Sequence, residues 1–147
     1  MRREPEISVV RLDRSGIRKA LGDLEAEVME LVWTRAGDRG MTVRDVFALL
    51  HKRRKIAYTT VMTTMARLAR KRLLRTETYG QAYVYFPTVS QDEFISGFVG
   101  RILEDLLVSF SGPTIERLNA LSDPRAAARV RRLLARIARR RAAQEET

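Results

Sequence analysis

Residues 57–74 read AYTTVMTTMARLARKRLL. Projected at about 100° per residue, Ala57, Tyr58, Val61, Met62, Met65, Leu68 and Ala69 fall on one arc, and Thr59, Thr60, Thr63, Thr64, Arg67, Arg70 and Lys71 fall on the opposite one. Two chemistries separated at the helical period predict an amphipathic helix over residues 56–73. Its apolar arc belongs in a core, with Tyr58 there placing its hydroxyl at the DNA surface. Its polar arc carries small hydroxyls near the start and cations near the end, a face narrow enough to enter a nucleic-acid groove.

Upstream, Leu21, Leu24, Val28, Leu31 and Val32 recur at three and four residues, which predicts a first helix over residues 21–34 with Met29 and Trp33 widening its stripe. Gly37 and Gly40 break it. Thr42 with Asp45 three residues on is a capping box that uses Asp instead of the usual Glu, and it opens a second helix with Val43, Val46, Phe47 and Leu50 apolar. Downstream, residues 73–79 and 81–89 are rich in Thr, Tyr, Val and Phe and are separated by Gly80, the pattern of a β-hairpin. Pro87 belongs at its exit or on an edge, and Tyr83 and Tyr85 share a strand face expected to be core. Three helices and a hairpin with short connections have the order of a winged helix-turn-helix, whose second motif helix enters the major groove while the hairpin, or wing, touches the adjoining backbone.

After Ser90 the pattern changes. Ser90 and Glu93 form another capping box, and the helix that follows to about residue 109 has Phe94, Ile95, Phe98, Val99, Ile102, Leu103, Leu106 and Leu107 apolar, nearly two per turn. That stripe is wide for a helix covered on one side only. Residues 111–113, Ser-Gly-Pro, are expected to break the chain before a short helix over residues 115–121; Asp123 then caps a last helix with Val130, Leu133, Leu134 and Ile137 apolar. The fold class expected is therefore mainly α: an N-terminal extension (1–18), a winged helix-turn-helix DNA-binding domain (19–89) and a C-terminal helical dimerisation module (90–147) with an arginine-rich last helix. The eight apolar residues from Phe94 to Leu107 are the candidate dimerisation face. Packing of this tail onto the winged domain of the same chain is the alternative. Within the extension, residues 7–12 fit a short strand, and Arg2, Arg3, Arg11 and Arg14 fit a basic arm along DNA.

The 147 residues carry a formal charge of +10. Residues 51–75 hold nine basic side chains and no acid, and the run Lys52, Arg53, Arg54, Lys55 falls at the turn between the second and third helices. Such a block suits a polyanion. The candidate DNA contacts are Arg44, Lys55, Thr59, Thr60, Thr63, Thr64, Arg67, Arg70, Lys71 and Gln81. Eight arginines between Arg125 and Arg141 either touch a polyanion or cover apolar surface with their stems. No cysteine and a single histidine, His51, leave no thiol nucleophile and no metal-ligand set. Glu104 and Asp105 are adjacent, so a helix points them about 100° apart and they make no catalytic pair. No enzymatic activity, cofactor or metal is expected. No apolar run is long enough to span a bilayer and no secretory signal is visible, so the cytoplasm is the expected compartment, with no membrane partner. A non-specific RNA-binding or nucleoid protein remains open beside the sequence-specific regulator.

Four stretches, LGDLEAEVMELVW (21–33), MTVRDVFALL (41–50), AYTTVMTTMARLARKRLL (57–74) and QAYVYFPTV (81–89), in this order and spacing, resemble the penicillinase-repressor family. The resemblance implies a homodimer that binds palindromic double-stranded operator DNA and represses transcription. It implies that Thr60, Thr63 and Thr64 meet base edges, that Arg67 and Lys71 reach guanine or phosphate, and that Gln81 beside Gly80 touches phosphate. Three departures stand out. Relatives induced by β-lactams are cleaved at an Asn-Phe bond in the dimerisation helix, where this chain has Gly-Arg-Ile-Leu-Glu (100–104). Copper-responsive relatives carry a C-terminal cysteine cluster that is missing here. The family's third helix usually ends in Lys-Gly, and here Arg72 stands in the glycine's place, implying a different helix end or some strain.

Overall fold

The computed structural model describes residues 5–7 and 9–145. They form two compact units, Met1–Val99 and Gly100–Thr147. The first holds a 3₁₀ turn Gly16–Lys19, α1 Asp23–Arg35, α2 Val43–His51, α3 Tyr58–Arg70, β1 Leu74–Tyr79, β2 Ala82–Pro87 and the start of α4 Gln91–Ser109. The second holds the rest of α4, α5 Ser111–Ser122 and α6 Pro124–Glu145. Among the described residues no helix is long and apolar enough to cross a membrane.

Local chemistry sets most of these boundaries. At the start of α1 the Glu25 carboxylate accepts the Gly22 N–H at 3.1 Å. Gly40, at φ 70, donates its N–H back to the Ala36 carbonyl at 2.9 Å, and its neighbour Met41 then exchanges two backbone hydrogen bonds with Tyr85, at 2.9 and 2.8 Å. A one-residue bridge thus ties the end of α1 to the hairpin. A side chain at Gly40 has no room, because a Cβ there lies 2.5 Å from Val84 Cγ1 and 2.9 Å from the Tyr85 carbonyl. The expected capping box opens α2: Thr42 Oγ1 accepts the Asp45 N–H at 3.1 Å, and Asp45 Oδ2 accepts the Thr42 N–H at 3.0 Å.

The third helix is shorter than its periodicity predicts. Ala57 is extended (ψ 144), so α3 begins at Tyr58, and Arg72 at φ 64 ends it after Arg70. The Leu73 N–H donates to the Leu68 carbonyl at 3.0 Å and the Arg72 N–H to the Ala69 carbonyl at 3.0 Å, the pair of bonds of a Schellman motif. Leu68 and Leu73 are both fully buried, which supplies the apolar contact of that motif. Arg72 is therefore strained rather than rerouted: among the described residues it is the sole non-glycine with positive φ. β1 and β2 pair antiparallel from Leu74↔Pro87 to Tyr79↔Ala82, closed by Gly80 and Gln81 with Gly80 at φ 62, the first-position glycine that a two-residue type II′ hairpin requires.

Leu21, Met29, Val46, Leu50, Val61, Met65, Leu68 and Leu74 form the core of the first unit. It draws on both sides of the expected 19–89 domain. Ile17 is buried, Ile7 packs against the core, and the Glu6 N–H donates to the Lys71 carbonyl at 2.9 Å. Residues 7–12 form no strand among the described residues, with Ser8, Arg2 and Arg3 lying outside them. On the other side, Trp33 Nε1 donates to the Val89 carbonyl at 3.0 Å, the Phe94 ring lies 5.5 Å from that of Trp33, and both Phe94 and Phe98 are buried.

In the second unit the break falls at Phe110 (φ −140, ψ 58), one residue before the expected Ser-Gly-Pro stop. Those three residues instead form the first turn of α5, where proline is tolerated because its missing N–H would have had no helical partner. α6 starts as expected, with Asp123 extended, Pro124 at the first helical position and Asp123 Oδ1 accepting the Arg125 N–H at 3.2 Å. Among the described residues α5 and α6 bury no side chain, leaving Ile115, Leu121, Leu133 and Leu134 about half exposed.

Candidate nucleic-acid interface

The outward face of α3 is made by Tyr58, Thr59, Thr60, Met62, Thr63, Ala66, Arg67 and Arg70, all exposed, while Val61, Thr64, Met65 and Leu68 are buried. Its divide is rotated from the one that polarity draws. Tyr58 and Met62, expected in the core, are each 44% exposed. They lie in the first turns of α3, around the first buried residue Val61, and Tyr58 touches only the edge of the unit, its ring 5.5 Å from Phe47. Thr64, expected to meet bases, is 4% exposed and donates its hydroxyl to the Thr60 carbonyl at 2.8 Å. A short side chain can satisfy its own hydroxyl against the preceding turn, so threonine is admitted to a core position. Thr63 makes the same bond, to the Thr59 carbonyl at 2.8 Å, but is exposed, and its oxygen keeps a free lone pair to accept from a base.

The cations also divide. Lys71 Nζ lies 2.8 Å from Glu25 Oε2, a carboxylate 7% exposed, so its charge is spent inside the fold instead of on a groove. Arg54 pairs with Glu27 at 3.7 Å. Arg44, Lys52, Arg53, Lys55, Arg67 and Arg70 are exposed, and no acid stands within ion-pair distance of them among the described residues. An open cleft of about 460 Å³ runs between the start of α1 and α3, with Gly22 and Asp23 on one wall and Thr59, Thr60, Thr63 and Arg67 on the other. Its acids are neutralised: Asp23 lies 3.5 Å from Arg14 and 3.8 Å from Arg18, and Glu25 holds Lys71. The potential along α3 is thus set by Arg67 and Arg70.

At the wing tip Gly80 and Gln81 are exposed, flanked by exposed Tyr79 and Tyr83. Tyr83 departs from its expected core position because it pairs with Thr78 near the tip, whereas Tyr85, next to the Met41 bridge, is buried. Burial raises the Tyr85 phenol above its ordinary value. At the wing's edge the hydrogen bond from Arg75, then that from the Tyr79 hydroxyl at 2.9 Å, lower the Glu77 carboxyl, and the same bond raises Tyr79. Arg75 also stacks 4.5 Å over Phe86, so it is a structural cation.

Of the candidate dimerisation residues, Phe94 and Phe98 are taken up by the first unit's core. Ile95, Val99, Leu103 and Leu106 remain exposed, and Ile102 and Leu107 are half-buried. Sequence reading missed Ala66, Tyr58 and Met62 as members of the outward face. The signal was available for Ala66, which projects beside Thr59 at the edge of the polar arc, but not for the other two, whose apolar character points inward.

The transcriptional regulator BlaI of Mycobacterium tuberculosis is 43% identical over 79 residues, covering 54% of this chain and 56% of the relative, so the chain spans about half the length of that curated relative. A 16.5 kDa protein of Latilactobacillus sakei is 31% identical over 94 residues, covering 64% of this chain and 62% of its own length. Among solved structures, the DNA-binding domain of the repressor BlaI is similar over 54% of this chain and 93% of its own, at 25% identity and a TM-score of 0.44. The model of the penicillinase repressor family matches residues 21–136, most of the chain, and the protein belongs to that family.

Proposed function

We propose that the protein is a sequence-specific transcriptional repressor that binds palindromic operator DNA as a homodimer. The observation that carries this reading is the outward face of α3: Thr59, Thr60, Thr63 and Ala66, small enough for close approach to base edges, run into Arg67 and Arg70, which have no acidic partner among the described residues. In this reading α3 lies in the major groove, Thr63 accepts from a base, Arg67 and Arg70 hold phosphates or guanine, and Arg44 and Lys55 hold the adjoining backbone. Gln81 touches phosphate from the wing. Family membership supports it, and one relative, BlaI of Bacillus licheniformis, has been solved in complex with the blaP half-operator. No residue is assigned a catalytic step, and a DNA ligand places the work in the cytoplasm.

For the dimer, the supporting observation is that Val99, Leu103, Leu106, Ile115 and Leu121 are exposed, apolar side chains of the kind that mark contacts between chains. The proposed division of labour is reading of DNA by residues 19–89, helped by the flanking core contacts, and pairing by residues 90–147.

Selection from random duplexes at fixed salt, followed by footprinting, tests the reading. The expected result is a palindrome with half-sites about 34–36 Å apart or a multiple of that, bound at least about a thousandfold tighter than scrambled DNA. No preference of that order overturns it and favours the non-specific alternative. Thr63→Ala should relax base preference, and Arg70→Ala should weaken all sequences alike.

A further inference from the structure

α6 presents a second basic surface that the reading of α3 does not use. Arg125, Arg129, Arg132, Arg136 and Arg139 recur at three and four residues, with Arg140 beside the last, and the six fall on one arc of about 100°. Val130, Leu133, Leu134 and Ile137 fall on a separate arc centred about 120° away, so the arginine stripe is distinct from the apolar one. All six arginines are exposed. None forms an ion pair among the described residues, and α6 holds no acid before Glu145. The polar contacts of the arginine side chains stay within the helix: Arg132 Nε and Arg139 Nε each donate at 3.4 Å to a carbonyl four residues back, which leaves their terminal nitrogens free of that bond. The stripe runs for about 22 Å at the helical rise.

We propose that this stripe grips the phosphate backbone of duplex DNA, as a sequence-independent contact additional to that of α3. Charge complementarity points to this occupant. Every member is arginine, whose planar fork matches phosphate in two parallel bonds and is weakly hydrated. Duplex DNA offers one charge per about 1.7 Å of axis, more than enough to face six cations over the stripe's length. A lipid surface fits less well, since the apolar face of α6 carries no Trp, Tyr or Phe to seat at a headgroup boundary. The proposal rests on the DNA-binding reading of the family, but not on sequence recognition by α3.

The test uses the full chain with all six arginines changed to Gln, which keeps the helix propensity, and a random-sequence duplex as probe, titrated between about 50 and 200 mM salt. The variant should bind at least about tenfold more weakly at the low-salt end. Its plot of log K against log salt should be shallower by about 0.9 for each arginine that touched a phosphate. Replacing the same six by Lys should restore most of the slope. An unchanged slope overturns the proposal. So does a variant whose sedimentation shows a lost dimer, which assigns the stripe to acids on a second copy. Wild-type binding to phosphatidylserine vesicles that the Gln variant loses, with the duplex slope unchanged, overturns it in favour of a lipid surface. Because the probe is random in sequence, a failed palindrome selection sinks the reading of α3 and leaves this slope change readable.

Discussion

Arg72 occupies the left-handed position of a Schellman motif, where a Cβ costs about 1 kcal/mol relative to glycine. Arg72→Gly should therefore stabilise the first unit by about 1 kcal/mol and raise its melting temperature by several degrees. Loss of its 3.6 Å contact with Glu6 subtracts little, since that pair is largely exposed. Thermal unfolding with no rise, or a fall, would contradict the strain assigned to it. Lys71, one residue earlier, has the right charge for a phosphate, yet it holds the buried Glu25. Lys71→Ala leaves that carboxylate with only the Gly22 N–H and should cost about 1–2 kcal/mol, an amount discounted because Lys71 is itself one-third exposed. Urea unfolding should register that loss, while DNA affinity per folded molecule should change far less than for Arg67→Ala. Equal losses of affinity would return Lys71 to the interface.

At the scale of elements, the hairpin couples packing to pH. Burial holds the Tyr85 phenol neutral, above its ordinary value of 10.0. A group whose folded value is raised contributes its full stability below the unfolded value and loses it as pH rises through the folded one. The first unit should thus keep its stability up to about pH 10 and then weaken. Tyr85→Phe should flatten that alkaline loss, read as urea midpoints at about pH 8 and pH 11. The same fall in both proteins would mean that Tyr85 is not a source of it. The hairpin also explains why Tyr83 escaped the alternation rule. A period of two fixes which residues share a strand face, and only the Met41 bridge and the helices beneath decide how far along that face the cover extends.

For the whole molecule the unburied apolar surface makes the sharpest demand. Leu103→Glu combined with Leu106→Glu places two charges on exposed positions of α4 and should leave the first unit folded. If this face pairs two copies, the double variant should sediment as a monomer and bind a palindrome far more weakly than the parent, because two tethered half-site contacts become one. A variant that still sediments as a dimer would remove α4 from the interface. Phe94 and Phe98 do not belong in such an experiment. They look like dimer residues by spacing, but both are buried within the first unit, Phe94 against Trp33, and charging them should destabilise it.

The sequence by itself determined the order of elements, the capped starts at Thr42 and Asp123 and the Gly80 turn. Each depends on residues within a few positions of one another, and helix and turn chemistry is local. Only the tertiary structure decided which polar side chains face outward. Thr64 and Lys71 carry groups that could have met DNA, and Tyr58 and Met62 carry groups that could have met the core. What assigned them was a neighbour distant in the chain or its absence: Glu25, forty-six positions from Lys71, Phe47 at the edge of Tyr58, and no cover over Met62. Polarity reports what a side chain tolerates, and packing decides where it goes.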